Sequence, residues 1–525
     1  MAKRTIQFSQ FLIVFFPAFF LAQSVDKNLW KAQINLEKKY QTIDNFAAAG
    51  CWFAEGIGKY WPEEKKQKIA QLLFSRQTDD KGNPLGIGLS GWRFNIGAGT
   101  QEQADKSGIS DFRKRVECFQ NPDGSYSWNR QEGYQWFLKK AKEYGVERLI
   151  AFSNSPPVFM TKNGLGFKTE KDNTCNLPAN RFSDFAKFLA EVVEHFEKEN
   201  LHFDYLSPVN EPQWDWFGEF GKAKQEGSPW SNADISEIAK ILDKELSKQQ
   251  LNTKILLTEA AQLDFLYAGY GPAQQQVSAF YDEESPQYLG NLTHLPKIIA
   301  GHSYFTESSD KRLLDVRKKT GEIADKYRLN FWQSEYSMLG KGYTEGKSGQ
   351  VSAIDCALFL AKVIHFDLTV ANASAWQFWN AFEPGPSEYD TRYYFIALDP
   401  NETYTNGNFH PVKTLWAMGH YSYFIRPGMQ RIDLNMGLSP EQQAQEVMAS
   451  AYQDPSTGKV VVVLINYSPE EKTVKFDLPT KFREITQYLT TKDPEMNMKK
   501  NAVRKGKLRK WNFPPRSIST LVFEP

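Results

Sequence analysis

Apolar residues along this chain fall into two textures. Between residues 43 and 382, short apolar runs alternate with longer stretches in which apolar positions recur every three or four residues. The runs are 43–52 (IDNFAAAGCW), 88–97 (GLSGWRFNIG), 147–155 (ERLIAFSNS), 203–210 (FDYLSPVN), 254–260 (KILLTEA), 297–305 (KIIAGHSYF), 330–337 (NFWQSEYS) and 373–380 (ASAWQFWN). Continuous runs of this length read as parallel strands buried on both faces. Between two of them, Phe182, Phe185, Phe188, Leu189, Val192, Val193 and Phe196 keep helical spacing and give one stripe to lay on a sheet. His195 lies beside that stripe and reads as a packing or surface histidine. In WPEEKKQKIAQLLF, Pro62 and two glutamates occupy a first turn, as a helix start prefers. Eight strands alternating with helices predict an α/β fold, a (β/α)8 TIM barrel with insertions. The alternative is an open doubly wound sheet, but no Gly-rich phosphate loop or dinucleotide fingerprint supports it.

After about residue 428 the helical pattern stops. EVMASAYQDPSTGKVVVVLINYS reads as two strands around an Asp-Pro-Ser-Thr-Gly turn, and KTVKFDLP, REITQYLTT and KLRKWNFPPRSISTLVFEP continue in the same manner. These segments predict an all-β sandwich. Residues 25–42 alternate weakly and are expected to add a strand to it. At the N-terminus, Lys3 and Arg4 precede an apolar run too short to span a bilayer, and Ala22-Gln23-Ser24 fits the small-x-small cleavage rule. The expected organisation is a signal peptide at 1–24, the N-terminal strand at 25–42, the barrel at 43–427 and the sandwich at 428–525. A secreted or periplasmic protein with no membrane anchor after cleavage follows from that reading.

Composition changes this picture little. Lys and Arg total 63 against 62 Asp and Glu, which argues against a nucleic-acid binder with a basic surface. Aromatic residues make up 14% of the chain, enough for large cores or for a groove that stacks flat sugar faces. The four cysteines match no metal spacing. Cys51 and Cys356 sit in apolar segments and read as buried. Cys118 and Cys175 lie in polar, loop-like sequence, and a disulfide between them stays open in an oxidising compartment.

Reactive residues of a barrel sit at the C-terminal ends of its strands. The fourth run ends in Asn210-Glu211 and the seventh near Glu335. Strands four and seven face each other across a closed eight-stranded barrel, so both glutamates can reach one site. Two carboxyls across a cleft are what glycosidic bond cleavage needs: one protonated to donate to the leaving oxygen, one ionised to attack the anomeric carbon. Their mutual repulsion and burial can raise one pKa into the working range.

The Asn-Glu-Pro of 210–212 and the glutamate of WQSEYS resemble the two signatures of retaining glycoside hydrolases on barrels with acids after strands 4 and 7. IDNFAAAG, GLSGWRFNIGAGT, SNSPPVFM and SPVNEPQW, in that order and with a flanking β domain, resemble glycoside hydrolase family 30 more narrowly. The resemblance covers nearly the whole chain after residue 24. It implies Glu211 as general acid/base and Glu335 as nucleophile. It also implies Asn210 on the substrate 2-hydroxyl, Arg93 and Tyr304 beside the nucleophile, His302 along the cleft and Trp376 as floor of the sugar site.

Asn154 in FSNSPP departs from the pattern, which places a tryptophan there, so one stacking surface is absent. Trp214, Trp216, Trp230 and Tyr389 are the alternative platforms. The family acts on β-1,6-galactan, β-1,6-glucan, glucuronoxylan and smaller β-glycosides, and FWQSEYS resembles the endo-β-1,6-galactanase-like branch most. The expected function is a secreted, monomeric retaining β-glycoside hydrolase acting on a β-linked glycan, with no cofactor. The rivals are a xylanase, a β-1,6-glucanase or an exo-β-glycosidase of the same family, and a non-catalytic glycan-binding protein on the same fold. A metal-dependent hydrolase has little support, with 7 His and no His-x-His or His-Glu-x-x-His motif.

Overall fold

Each of the eight apolar runs contains a strand of one parallel sheet. The computed structural model describes residue 1 and residues 29–478, 482–505 and 510–525. Apart from Met1, the expected signal peptide lies outside the described residues. A first strand, β1 (Leu29–Thr42), precedes the barrel. The barrel strands are β2 (Asn45–Ala49), β3 (Gly91–Ile96), β4 (Arg148–Ser153), β5 (Tyr205–Ser207), β6 (Lys254–Ile255), β7 (Ile298–His302), β8 (Asn330–Tyr336) and β9 (Ala373–Phe378). Their hydrogen-bonded order is β6-β5-β4-β3-β2-β9-β8-β7. The remaining seam closes where Ala300 N–H donates to Leu257 O at 2.9 Å and His302 N–H donates to Ala260 O at 2.8 Å. The (β/α)8 barrel expected from the pattern is therefore closed.

Side-chain alternation along the strands sorts two layers. Ile150, Leu256, Ile298, Ala300, Trp332 and Ala375 form one cluster inside the barrel. The opposite faces pack on the surrounding helices. Helix Phe182–Lys198 buries the predicted stripe, and His195 stacks flat on Trp128 with ring centroids 3.9 Å apart. Helix Glu63–Phe74 starts directly after Pro62. Ser231, Ser309 and Ser352 cap three further helices by accepting from a first-turn backbone N–H.

A small sheet follows β9: β10 (Phe382–Pro384), β11 (Ile396–Pro400) and β12 (Gly407–Pro411). The sequence pattern held no sign of it, because these strands are short and half polar. The C-terminal strands are β13 (Gln430–Asn435), β14 (Val447–Gln453), β15 (Val460–Asn466), β16 (Lys472–Asp477), β17 (Glu484–Thr490), β18 (Lys499–Lys505), β19 (Lys510–Phe513) and β20 (Ser517–Glu524). With β1 they form one nine-stranded sheet, β18-β17-β20-β15-β14-β13-β1-β16-β19. β1 pairs antiparallel with β13 and parallel with β16. The sheet bends over its own core, so that Phe476 and Phe513 of one end meet Phe523 of the other in a single apolar cluster.

The barrel and this sheet are joined by two chain crossings that bond to each other: Ile43 N–H to Met429 O, and Gly428 N–H to Ile43 O, both 2.8 Å. Helix Lys413–Ser422 adds His420, whose ring nitrogens each lie 2.9 Å from a threonine of the sheet, Thr490 and Thr520. All four cysteines are free and buried, so Cys118 and Cys175 are not paired. Their loops fold inward, and both thiols lie in the apolar layer around the barrel. No helix among the described residues is long and apolar enough to cross a membrane.

Candidate active site

Five barrel strands each bring one ionisable side chain to a common point. Glu211 lies four residues beyond the end of β5, and Glu335 is the penultimate residue of β8. His302 ends β7, opposite Glu335 in the register. Arg93 is the third residue of β3, and Glu259 follows β6. Glu211 and Glu259 both have left-handed backbone, with φ of 46° and 47°. Non-glycine residues adopt that region at a cost, and such strain gathers at functional sites. The two turns are tied, with Glu211 N–H donating to Glu259 O at 3.0 Å.

The bonding pattern separates the carboxylates. Glu335 accepts from Arg93 Nη1 at 2.7 Å and from the Tyr304 hydroxyl at 3.0 Å. Glu211 Oε1 lies 2.9 Å from His302 Nδ1. The other ring nitrogen, Nε2, lies 3.1 Å from Glu259 Oε2. Glu259 also accepts from the Ser207 and Ser334 hydroxyls, each at 2.6 Å, and its Oε1 is 3.7 Å from Arg93 Nη2. Among the described residues, a carboxylate oxygen of Glu211 and one of Glu335 come within 4.8 Å of each other, with His302 beside both.

Charge follows from this geometry. Burial opposes ionisation of Glu259, but Arg93, His302 and Ser207 outweigh it and lower its pKa to about 2. Burial likewise opposes charge on His302, yet Glu335, Glu211 and Glu259 together raise it to about 10. The ring is therefore imidazolium at neutral pH, donating from both nitrogens. Three carboxylates then face two cations, Arg93 and His302. One further proton neutralises the cluster. Burial raises Glu211 above the ordinary carboxyl value, against the pull of His302. The two carboxyls thus lie close together in different surroundings, Glu335 against a guanidinium and Glu211 against the histidine ring.

Above these groups an open cleft is walled by Trp52, Trp214, Trp216, Trp379 and Tyr393, with Asn154, Asn210 and Tyr304 at its base. Asn210 Nδ2 donates to Asn154 Oδ1 at 3.1 Å. Its own Oδ1 is buried and has no hydrogen-bond partner among the described residues, which leaves an acceptor for a ligand hydroxyl. Trp216 Nε1 donates to the backbone oxygen of Glu211 at 3.1 Å, and Trp214 packs edge-on against Phe265.

Trp376 corrects an expectation. It is fully buried, and its Nε1 donates to Asp367 Oδ2 at 2.8 Å in the helix layer. Alternation explains this: Ala375 points into the barrel, so Trp376 points out. Trp379, three residues later and past the strand, supplies the aromatic wall instead. Trp230 is not a platform either; it is buried against Phe182 and Phe185.

Glu211, His302 and Glu335 each present one ligand atom within a 4.8 Å group that could hold a cation. In this cluster the imidazolium already occupies that place, so a metal would have to displace its protons.

A family model for O-Glycosyl hydrolase family 30 matches residues 30–393. The chain belongs to glycoside hydrolase family 30. Among curated relatives, "Putative glucosylceramidase 1" of Caenorhabditis elegans is 24% identical over 474 residues, covering 82% of this chain and 75% of that protein. An exo-β-1,6-galactobiohydrolase of Bifidobacterium longum is 28% identical over 126 residues, which are 23% of this chain and 8% of that protein. Among solved structures, a conserved exported protein from Bacteroides fragilis is 34% identical, with a TM-score of 0.86 over 94% of this chain and 100% of that one.

This family 30 glycoside hydrolase thus carries a third buried glutamate that sequence reasoning passed over. Glu259 had a legible signal: KILLTEA ends an apolar run in a glutamate, as the runs before Glu211 and Glu335 do. Trp52 and Trp379 also close apolar runs, GCW and FWN, yet only the strand ends show which tryptophans face the cleft.

Proposed function

We propose that this family 30 hydrolase is a retaining β-glycosidase, with Glu211 as acid/base and Glu335 as nucleophile. In the first step the Glu211 carboxyl gives its proton to the glycosidic oxygen while a Glu335 oxygen bonds the anomeric carbon and the bond to the leaving group breaks. In the second step Glu211, now a carboxylate, takes a proton from water. The water oxygen bonds the anomeric carbon and Glu335 departs as carboxylate. Two inversions restore the original configuration. The observation that carries this reading is the oxygen-to-oxygen approach of Glu211 and Glu335 within 4.8 Å. Retaining pairs stand about 5–5.5 Å apart, and inverting pairs about 6.5–9.5 Å, to admit a water.

Asn210 is assigned to the 2-hydroxyl through its open Oδ1, and Trp52, Trp214, Trp216 and Trp379 to the faces of bound sugar rings. The substrate class favoured is a β-1,6-linked galactan, cleaved internally by a secreted, monomeric enzyme. The shared segment with the galactobiohydrolase and the FWQSEYS resemblance support the linkage, and the open cleft supports internal cleavage. The exported character of the Bacteroides fragilis protein supports secretion.

The test is hydrolysis of β-1,6-galactan, β-1,6-glucan, xylan and 4-nitrophenyl β-glycosides, followed by proton NMR of the first product. A β-anomer formed first from a β-glycoside is expected. A first-formed α-anomer, or no turnover of any of these, would overturn the reading.

A further inference from the structure

Beside the cleft lies a second cavity that the proposed chemistry does not use. Its volume is about 280 Å³, near the lower end for a small-molecule site. It is built by the loops after β2 and β3 and by the turn between β11 and β12. Its centre is the Tyr404 ring, with Phe53 and Phe112 at centroid distances of 6.0 and 6.2 Å. Trp61 Nε1 donates to Tyr404 O at 3.0 Å and holds that turn in place. Tyr60 and Phe112 stand at the mouth, 55% and 50% exposed, and each leaves about half of a large ring open to solvent.

Polar groups converge on these rings. Glu55 accepts from the Gly133 N–H at 3.0 Å through Oε2, while Lys59 stays 3.9 Å from Oε1, so that oxygen retains acceptor capacity. Burial, with repulsion from Glu117, pushes Glu55 up to about 7, so it can donate or accept near neutral pH. Arg113 and Arg115 are engaged by Asp111 and Asp105. Their charge is not free for an anionic ligand. Apolar ring faces combined with carboxyls and compensated cations match a neutral pyranose, which has a C–H face and a rim of hydroxyls.

The partition between the two concavities is thin. Trp52 lines both. Arg113 lines the cavity, and its neighbour Lys114 lines the cleft, with Nζ 4.5 Å over the Trp52 ring. We propose that this cavity is a second carbohydrate site, which holds a neutral pyranose unit of the same glycan whose scissile bond lies in the cleft. The inference rests on the glycosidase reading above.

The test compares wild type with Phe112→Ala and Tyr60→Ala on β-1,6-galactan, β-1,6-glucan, xylan and a 4-nitrophenyl β-glycoside. Both side chains are half exposed, so the fold tolerates their loss, and thermal unfolding checks it. The ratio of kcat/KM on the cleaved polymer to that on the aryl glycoside should fall at least tenfold in each variant, through KM. A ratio within threefold of wild type overturns the second site and leaves the glycosidase reading standing. Wild-type turnover of the aryl glycoside alone does the same, whereas no turnover of any substrate sinks both.

Discussion

His302 holds Glu211 at 2.9 Å through Nδ1, and the far side of the same ring is held by Glu259 at 3.1 Å. Glu259 is fully buried, and the His302 ring stands between its carboxylate and that of Glu211. Removing its charge deprives the ring of one of the carboxylates that keep it cationic. In Glu259→Gln the His302 pKa should fall from about 10 by a unit or more, a change that 15N-edited NMR of the imidazole reads directly. kcat should fall at least about tenfold, as for other groups that position an acid/base. An unchanged titration would mean that Glu211 and Glu335 alone keep the ring charged.

Arg93 and Tyr304 both bond Glu335, at 2.7 and 3.0 Å, and fix the position of its carboxyl group. Glu335→Ala should lower kcat by about 10⁴-fold or more, the scale seen when a nucleophile is deleted. Azide should then restore turnover of an activated aryl β-glycoside, giving an α-glycosyl azide detectable by NMR. A β-azide product, or wild-type turnover in the variant, would remove Glu335 from the nucleophile role.

Burial raises the Glu211 carboxyl above its ordinary value, against the opposing His302. A raised acid stays protonated to higher pH, so kcat/KM should hold beyond the ordinary carboxyl range and decline as Glu211 loses its proton. With a 2,4-dinitrophenyl β-glycoside, whose leaving group needs no proton, Glu211→Gln should abolish that alkaline limb. A limb that persists in Glu211→Gln would belong to another group.

The barrel was legible because parallel strands buried on both faces leave continuous apolar runs, and all eight runs hold strands. Glu211, Glu335, Arg93 and His302 were legible through a family resemblance anchored on strand ends. What stayed hidden depends on which way a side chain faces. Trp376 and Trp379 are three residues apart in one aromatic run, and only the register of β9 decides which meets the cleft. Glu259 had its signal at the end of an apolar run, but its place in the cluster stayed hidden because its partners Ser207, His302 and Ser334 come from three other strand ends. The cavity around Tyr404 depends on the small sheet that brings that turn against the loop after β2.

The two tryptophans of that run should separate stability from binding. Trp376 is fully buried, stacks near Tyr336 and Phe378, and satisfies Asp367 in the helix layer. Trp376→Ala should cost about 3–5 kcal/mol of unfolding free energy from the cavity alone. The loss of an Asp367 partner adds to that, because Asp367 also binds Arg317 at 2.8 Å in a buried pair. Trp379 is half-buried, packs edge-on against Trp52 and presents its remaining surface to the cleft. Trp379→Ala should raise KM at least about tenfold and shift the denaturant midpoint far less than Trp376→Ala. Urea unfolding and steady-state kinetics on the same preparations decide it. Equal losses of stability in both variants would place Trp379 in the core rather than at the sugar.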